Sequence, residues 1–289
     1  MTRHSGAVGF VGLGNIGRAM AMRLLGRPGG VWVHDVAAEP VAELTASGAG
    51  AVSSVTDLAE FVDLVCVMVR DDAQVQDVVD QLAAAAPRDL VVAVHSTVAQ
   101  HTPVTLENAA PRGLRIVDAP VSGGAIGAAA GSLAIMVGGS EHDYQVCAEP
   151  LSWMGSEVLH AGPLGAGTRM KLARNLLHFV SFTAATEAQR LAEAAGVDLT
   201  ELGRVVRHTD SVTGGPGAIM HRDTTSAVPV DDFWFGVFDH VRNLGEKDLA
   251  SALELAEELR VELPLARQAL HDLAAGLGLA ASDTAESQA

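Results

Sequence analysis

The chain has 289 residues, of which 48% are hydrophobic and 19% charged, ample for a sizeable core and too apolar for a disordered chain. Nineteen Lys and Arg against 35 Asp and Glu leave a formal net charge of −16. That balance excludes the basic face a nucleic-acid binder needs and argues against an anionic membrane surface.

Residues 1–6 are too short and polar to read as a signal peptide, and no apolar run approaches the ~18 residues that span a bilayer. Short apolar runs at 7–11, 31–34, 64–69, 90–95, 114–118, 133–137 and 157–160 read as strands. Several are unbroken Val/Ile/Leu stretches, as expected of strands covered on both faces. Amphipathic stretches such as 16–25 and 73–84 lie between them, so the first half predicts βαβ units and a mainly parallel, doubly wound sheet. Past Gly162-Pro163-Leu164-Gly165 the strands stop. A helical pattern runs from 168 to 195, followed by helices at about 198–207, 235–260 and 264–275. The boundary predicted is a dinucleotide-binding domain over 1–162 and an all-helical substrate and oligomerisation domain over 163–289, opening on a long interdomain helix. The tail at 280–289 is small and polar and is expected to be disordered.

The two cysteines, Cys66 in an apolar run and Cys147 in a polar helical stretch, offer neither a disulfide framework nor a metal spacing, which suits a reducing cytoplasm. The eleven histidines are scattered, are read as surface or satisfied core residues, and predict no metal site.

Gly12-Leu13-Gly14-Asn15-Ile16-Gly17 follows the first strand directly and opens a helix. In that setting the first glycine allows the tight turn, the second lets a pyrophosphate approach the backbone, and the third lets helix and strand pack closely. Asp35 ends the second strand 21 residues after Gly14, where a carboxylate accepts hydrogen bonds from ribose hydroxyls and repels a 2′-phosphate. Residues 36–39 hold no cation, which favours NAD over NADP. The other reading of Asp35 is a cap on the next helix.

Only two lysines, Lys171 and Lys247, stand against 17 arginines. Arg stays protonated at any working pH, whereas Lys gives up its proton when desolvated or set beside another cation. Lys171 and Asn175 are four apart and share a helix face. Two ammonium groups in one cleft would lower each other's pKa, which is what a lysine acting as acid and base requires. Asp118-Ala119-Pro120-Val121-Ser122-Gly123-Gly124 ends a strand on a rigid exit and offers a hydroxyl and open N–H groups to a small carboxylate.

Together these segments resemble the β-hydroxyacid dehydrogenase family, which includes 3-hydroxyisobutyrate dehydrogenase and tartronate semialdehyde reductase. Four motifs occur in the family's order between residues 8 and about 275: Val8–Gly17, Asp118–Gly124, Gly165–Asn175, and Lys247-Asp248-Leu249. The resemblance implies an N-terminal Rossmann sheet followed by an all-α domain, and reversible NAD(P)-dependent oxidation of a short 3-hydroxy acid. It implies Lys171 as catalytic acid/base and Asn175 as substrate-orienting. Ser122, Gly123 and Gly124 would hold the substrate carboxylate. Val69, Arg70, Gln74, Thr97 and Lys247 would join residues 12–17 and Asp35 around the cofactor. It implies a homodimer or homotetramer. Arg70 stands where many members have proline, and the aromatic segment 232–235, with Phe233 set at the substrate, is unusual for this chain. A short-chain dehydrogenase needs Tyr-x-x-x-Lys, and the only tyrosine, Tyr144, has Ala148 four residues on. The alternatives left are an imine or other carbonyl reductase on the same scaffold, and a non-catalytic dinucleotide-binding protein.

Overall fold

A computed structural model describes residues 6–85 and 89–279. The expected signal-peptide-free start at 1–6, apart from Gly6, and the expected tail at 280–289 lie outside the described residues.

The chain opens with β1 (Val8–Val11), α1 (Asn15–Leu24), β2 (Val31–His34), α2 (Ala38–Ala46), β3 (Gly50–Ala51), α3 (Val55–Phe61), β4 (Leu64–Val67), α4 (Asp72–Ala84) and β5 (Leu90–Val94). It continues through α5 (Thr102–Ala109), β6 (Leu114–Asp118), β7 (Val121–Ser122), α6 (Gly124–Ala130), β8 (Leu133–Gly138), α7 (Glu141–Ser152) and β9 (Gly155–Gly162). These strands form one sheet in the order β3-β2-β1-β4-β5-β6-β8-β7, with β9 beside β8. Strands β3 to β6 are parallel; β8 runs antiparallel to β6 and β7 and parallel to β9. The strand order reverses between β1 and β4, the place where doubly wound sheets open a ligand crevice. β4 and β5 are buried at every position, as their unbroken apolar sequences require of strands covered on both faces.

One core layer joins Phe10, Cys66, Ala93 and Val117 to Met20 and Leu24 of α1 and to Cys147 of α7. The opposite layer joins Val11, Val65, Val67 and Val92 to α3 and α4. Cys147 lies on the core side of α7 with Pro150 and Leu151; burial pushes its thiol pKa up to about 12 and raises that of Cys66 as well. Neither thiol has reactive character.

The helical part comprises α8 (Ala166–Ala194), α9 (Leu199–Thr213), α10 (Phe233–Leu259) and α11 (Pro264–Gly276). α9 runs six residues beyond its predicted end and stops at Gly214, which supplies a left-handed C-cap (φ 89°). Two compact units divide within α8, one up to Arg174 and one from Asn175. In the second unit, Leu253, Ala256 and Leu263 form one small core and Val228, Phe238, Leu277 and Leu279 another. Glu187 of α8 is buried and accepts the N–H groups of Leu265 (2.9 Å) and Ala266 (3.0 Å), satisfying the start of α11. Among the described residues, no helix is long and apolar enough to cross a membrane, and no group of His, Cys, Asp and Glu is gathered as a metal site.

Candidate active site

The turn between β1 and α1 is built from glycines for three different reasons. Gly12 has φ 94°, and a Cβ there would lie 2.2 Å from the Met68 carbonyl oxygen. A Cβ on Gly17 would lie 2.0 Å from the Gly12 carbonyl oxygen. Both positions are closed to any side chain by the protein's own backbone. Gly14 is different: a Cβ there would meet nothing within 4 Å. No neighbouring atom demands glycine at Gly14, and the space beside it is open. Gly14 is also the N-cap of α1 and makes no side-chain cap bond, and the first turn holds no acid. The helix therefore presents unsatisfied N–H groups and a positive dipole end beside that space, the arrangement that binds a phosphate.

The turn opens on a cleft of about 570 Å³ at the reversal of strand order. Its walls include Gly12, Gly14, Asn15, Ile16 and Gly17, together with Asp35, Val69, Arg70 and Gln74. Leu13 turns into the core, and its N–H donates to Asp35 Oδ2 (2.5 Å). Asp35 Oδ1 accepts the Ala37 N–H (2.8 Å), yet the N-cap of α2 is Ala37, so Asp35 is not that helix's cap. Its carboxylate ties the end of β2 to the glycine turn. The loop after β4 is held from below: Ser96 Oγ accepts the Val69 N–H (2.9 Å) and donates to the Val69 carbonyl (2.8 Å). The Arg70 N–H donates to Gln74 Oε1 (3.0 Å), while its guanidinium is 82% exposed and reaches Asp71 only at 3.9 Å. Thr97 is exposed just beyond Ser96.

A second cluster begins at Asp118, which is fully buried at the end of β6. Its carboxylate accepts the N–H groups of Gly165 (2.6 Å) and Thr168 (2.5 Å) and so satisfies the start of α8. Close packing there needs glycine: a Cβ on Gly167 would lie 2.1 Å from the Met136 carbonyl oxygen, and one on Gly138 2.2 Å from Asp118 Oδ1. One turn beyond Thr168 comes Lys171, 8% exposed. Burial lowers its pKa from the ordinary lysine value, and the guanidinium of Arg174 lowers it further. Arg174, within the same unit, is thus a cation that acts on it. Asn175 follows on the same face of α8. Ser122 ends β7; Gly123 (φ 133°) and Gly124 (φ 63°) form an exposed turn into α6. Lys247 is exposed on α10 and pairs with Asp248 at 3.1 Å, and Phe233, 76% exposed, opens the same helix.

Sequence reasoning missed two features. Asp118 was read as part of a carboxylate-binding loop, whereas its side chain anchors the helix that carries Lys171. His95 was grouped with surface or satisfied histidines; its Nδ1 is bonded to the Ala119 carbonyl (2.7 Å), but among the described residues Nε2 is buried without a partner, as is Thr168 Oγ1.

A family model of the NAD-binding domain of 6-phosphogluconate dehydrogenase matches residues 7–162. One of the NAD-binding region of NADP-dependent 3-hydroxyisobutyrate dehydrogenase matches residues 165–288. The chain belongs to the β-hydroxyacid dehydrogenase family. An uncharacterized oxidoreductase of Mycobacterium tuberculosis is 53% identical over 98% of both chains. An NAD-dependent L-serine dehydrogenase of Pseudomonas aeruginosa is 34% identical over 91% of this chain and 89% of its own. The M. tuberculosis 3-hydroxyisobutyrate dehydrogenase, solved with L-serine, superposes with a TM-score of 0.66 at 28% identity, covering 93% of this chain and 92% of that one. The chain is accordingly an NAD(P)-dependent oxidoreductase, and its glycine turn, open at Gly14, fits the dinucleotide the family uses.

Proposed function

We propose that the chain is an NAD-dependent dehydrogenase of a short, 3-hydroxyisobutyrate-like 3-hydroxy acid, with Lys171 as its general acid and base. The observation that carries this reading is a buried lysine of lowered pKa, on a helix anchored by a buried carboxylate. Neutral Lys171 accepts the proton of the substrate hydroxyl in oxidation; its ammonium returns that proton to the forming alkoxide in reduction. When bound, the nicotinamide ring supplies the two-electron acceptor for the carbinol hydrogen. Asn175 orients the hydroxyl-bearing carbon, and Ser122, Gly123 and Gly124 hold the carboxylate. The family resemblance supports Phe233 as a substrate residue and Thr97 and Lys247 as cofactor residues.

The relatives support the substrate class: L-serine, named for two of them, is itself a short acid with a hydroxyl on the β-carbon. Asp35 supports NAD over NADP. A 2′-phosphate would meet its carboxylate, and the adjoining cleft of about 500 Å³, walled by residues between His34 and Ser53, holds no Lys or Arg.

The test is Lys171→Arg, assayed with both cofactors against a panel of 3-hydroxy acids and cyclic imines. NAD should bind as before while hydroxy-acid turnover falls ~10²–10⁴-fold, the usual worth of general acid/base assistance. Near-normal turnover in the variant overturns the role of Lys171, and preferential reduction of imines overturns the substrate class.

A further inference from the structure

His95 directly follows β5, and its N–H extends the ladder to the Val67 carbonyl at 2.8 Å. The side chain is 1% exposed. Its ring lies nearly parallel to that of Phe10 in β1, 12° apart with centroids 6.4 Å away. Phe10 in turn lies beneath the opening turn of α1, since a Cβ on Gly17 would sit 3.3 Å from Phe10 Cε1. The imidazole therefore lies beside Phe10, which itself lies under the first turn of α1.

Its two nitrogens have unequal fates. Nδ1 approaches the Ala119 carbonyl at 2.7 Å and must carry the proton, because a carbonyl only accepts. Nε2 is then a bare acceptor. It is buried, with no partner among the described residues. Burial brings the imidazole pKa down to about 4, against a smaller opposing effect of the Ala119 bond, so the ring stays neutral at physiological pH. A buried acceptor left without a donor costs free energy, and native proteins keep few of them.

The sheet says which donor is due. Each half of a doubly wound sheet serves one mononucleotide. The glycine turn and Asp35, on β1 and β2, serve the adenine half. β5 lies in the other half, beyond the reversal between β1 and β4. The groups there that carry donors are the carboxamide and ribose hydroxyls of the nicotinamide nucleotide. We propose that His95 is a further cofactor-binding residue, whose Nε2 accepts a hydrogen bond from an N–H or O–H of the nicotinamide nucleotide. This rests on the dinucleotide-binding domain and is independent of the role given to Lys171.

The experiment measures binding to the unliganded enzyme by calorimetry, with NAD, ADP and 3-acetylpyridine adenine dinucleotide as probes, and follows thermal melting in parallel. His95→Asn places an amide N–H where Nδ1 stands and deletes the far acceptor; His95→Gln reaches the position of Nε2. The Asn variant should bind NAD about tenfold more weakly, the worth of one hydrogen bond. ADP affinity should not change, and the unliganded protein should melt no lower than the parent. The Gln variant should recover most of the NAD affinity. If the acetylpyridine analogue, which lacks the carboxamide NH₂, shows the same tenfold loss, the donor is a ribose hydroxyl; if it shows none, the donor is the carboxamide. Parental NAD affinity in the Asn variant overturns the proposal. So does an equal loss for NAD and ADP accompanied by a lower melting temperature, which would mark His95 as structural.

Discussion

Lys171 carries a charge that its surroundings make costly. Burial and Arg174 both hold its pKa in the folded chain below the 10.5 of an ordinary lysine. The unfolded chain therefore binds more protons between those two values, and stability rises with pH across that window. Below it the penalty is fully present; above 10.5 both states are neutral and it vanishes. Lys171→Met removes the charge and keeps the aliphatic stem. The variant should melt a few degrees higher than the parent at pH 7, as active-site residues relieved of strain often do, and turnover should be lost. The gap in melting temperature should close near pH 10.5, and a lower melting point at pH 7 would contradict the assignment. In the parent, hydroxy-acid oxidation should rise with pH through a midpoint below 10.5, while reduction of the product falls over the same range.

Arg70 makes a separate prediction. It is the sole Lys or Arg among the residues lining the cleft at the glycine turn, and that cleft also holds the carboxylates of Asp35 and Asp77. A dinucleotide brings two more negative charges into an already acidic chain. Because the guanidinium is exposed and only loosely paired with Asp71, it is free to turn onto the diphosphate. Arg70→Gln should weaken NAD about fivefold at low salt, the scale of an exposed charge contact, and the difference should shrink at 0.5 M NaCl through screening. ADP should report the same loss, since it carries the same diphosphate. An unchanged Kd with a raised KM for the hydroxy acid would instead place Arg70 at the substrate.

At the scale of elements, the helix bearing Lys171 is positioned by backbone contacts that leave no slack. Gly167 lets α8 lie against the Met136 carbonyl, and Asp118 receives the N–H groups of Gly165 and Thr168. Gly167→Ala would drive a methyl into backbone and push the helix outward, and overpacking of this kind costs about 1–3 kcal/mol or more. Both melting temperature and turnover should fall, with NAD affinity reduced least because the glycine turn is untouched. Retained turnover would show that Lys171 does not depend on the seating of α8.

The same region shows what a linear reading reaches. The glycine turn and Asp35 were legible because their spacing is local: one turn, one helix start, one strand end. The alternating strands and helices of the first half were legible for the same reason. β3 and β7, two residues each, left no periodicity to detect. Asp118 was legible as a strand end but not as the anchor of α8, because its partners lie 47 and 50 residues away. His95 was misread because one satisfied nitrogen and one orphaned nitrogen look alike in a sequence.

At the scale of the whole molecule, the expected homodimer or homotetramer can be tested on the apolar surface of the second unit. α9 is strongly amphipathic yet has no buried residue, and leaves Val205, Val206 and Val212 between 44% and 73% exposed. The second-unit part of α8 adds Leu176, Phe179, Val180 and Phe182, between 45% and 68% exposed. Monomers seldom leave so many large apolar side chains in water. A chain of net charge −16 would repel itself unless the joining faces were nearly uncharged, and the Leu176 to Phe182 stretch carries no Asp, Glu, Lys or Arg. In a two-fold pair the same apolar residues of both chains would meet. Phe182→Glu puts a carboxylate at its centre, and a dimer would bury the two copies of that charge together. Sedimentation of the parent should show an assembly of at least two chains, and the variant should shift to monomer at micromolar concentration. A parent that sediments as a monomer would leave the face without its proposed partner. A variant that stays assembled would move the interface elsewhere on the chain.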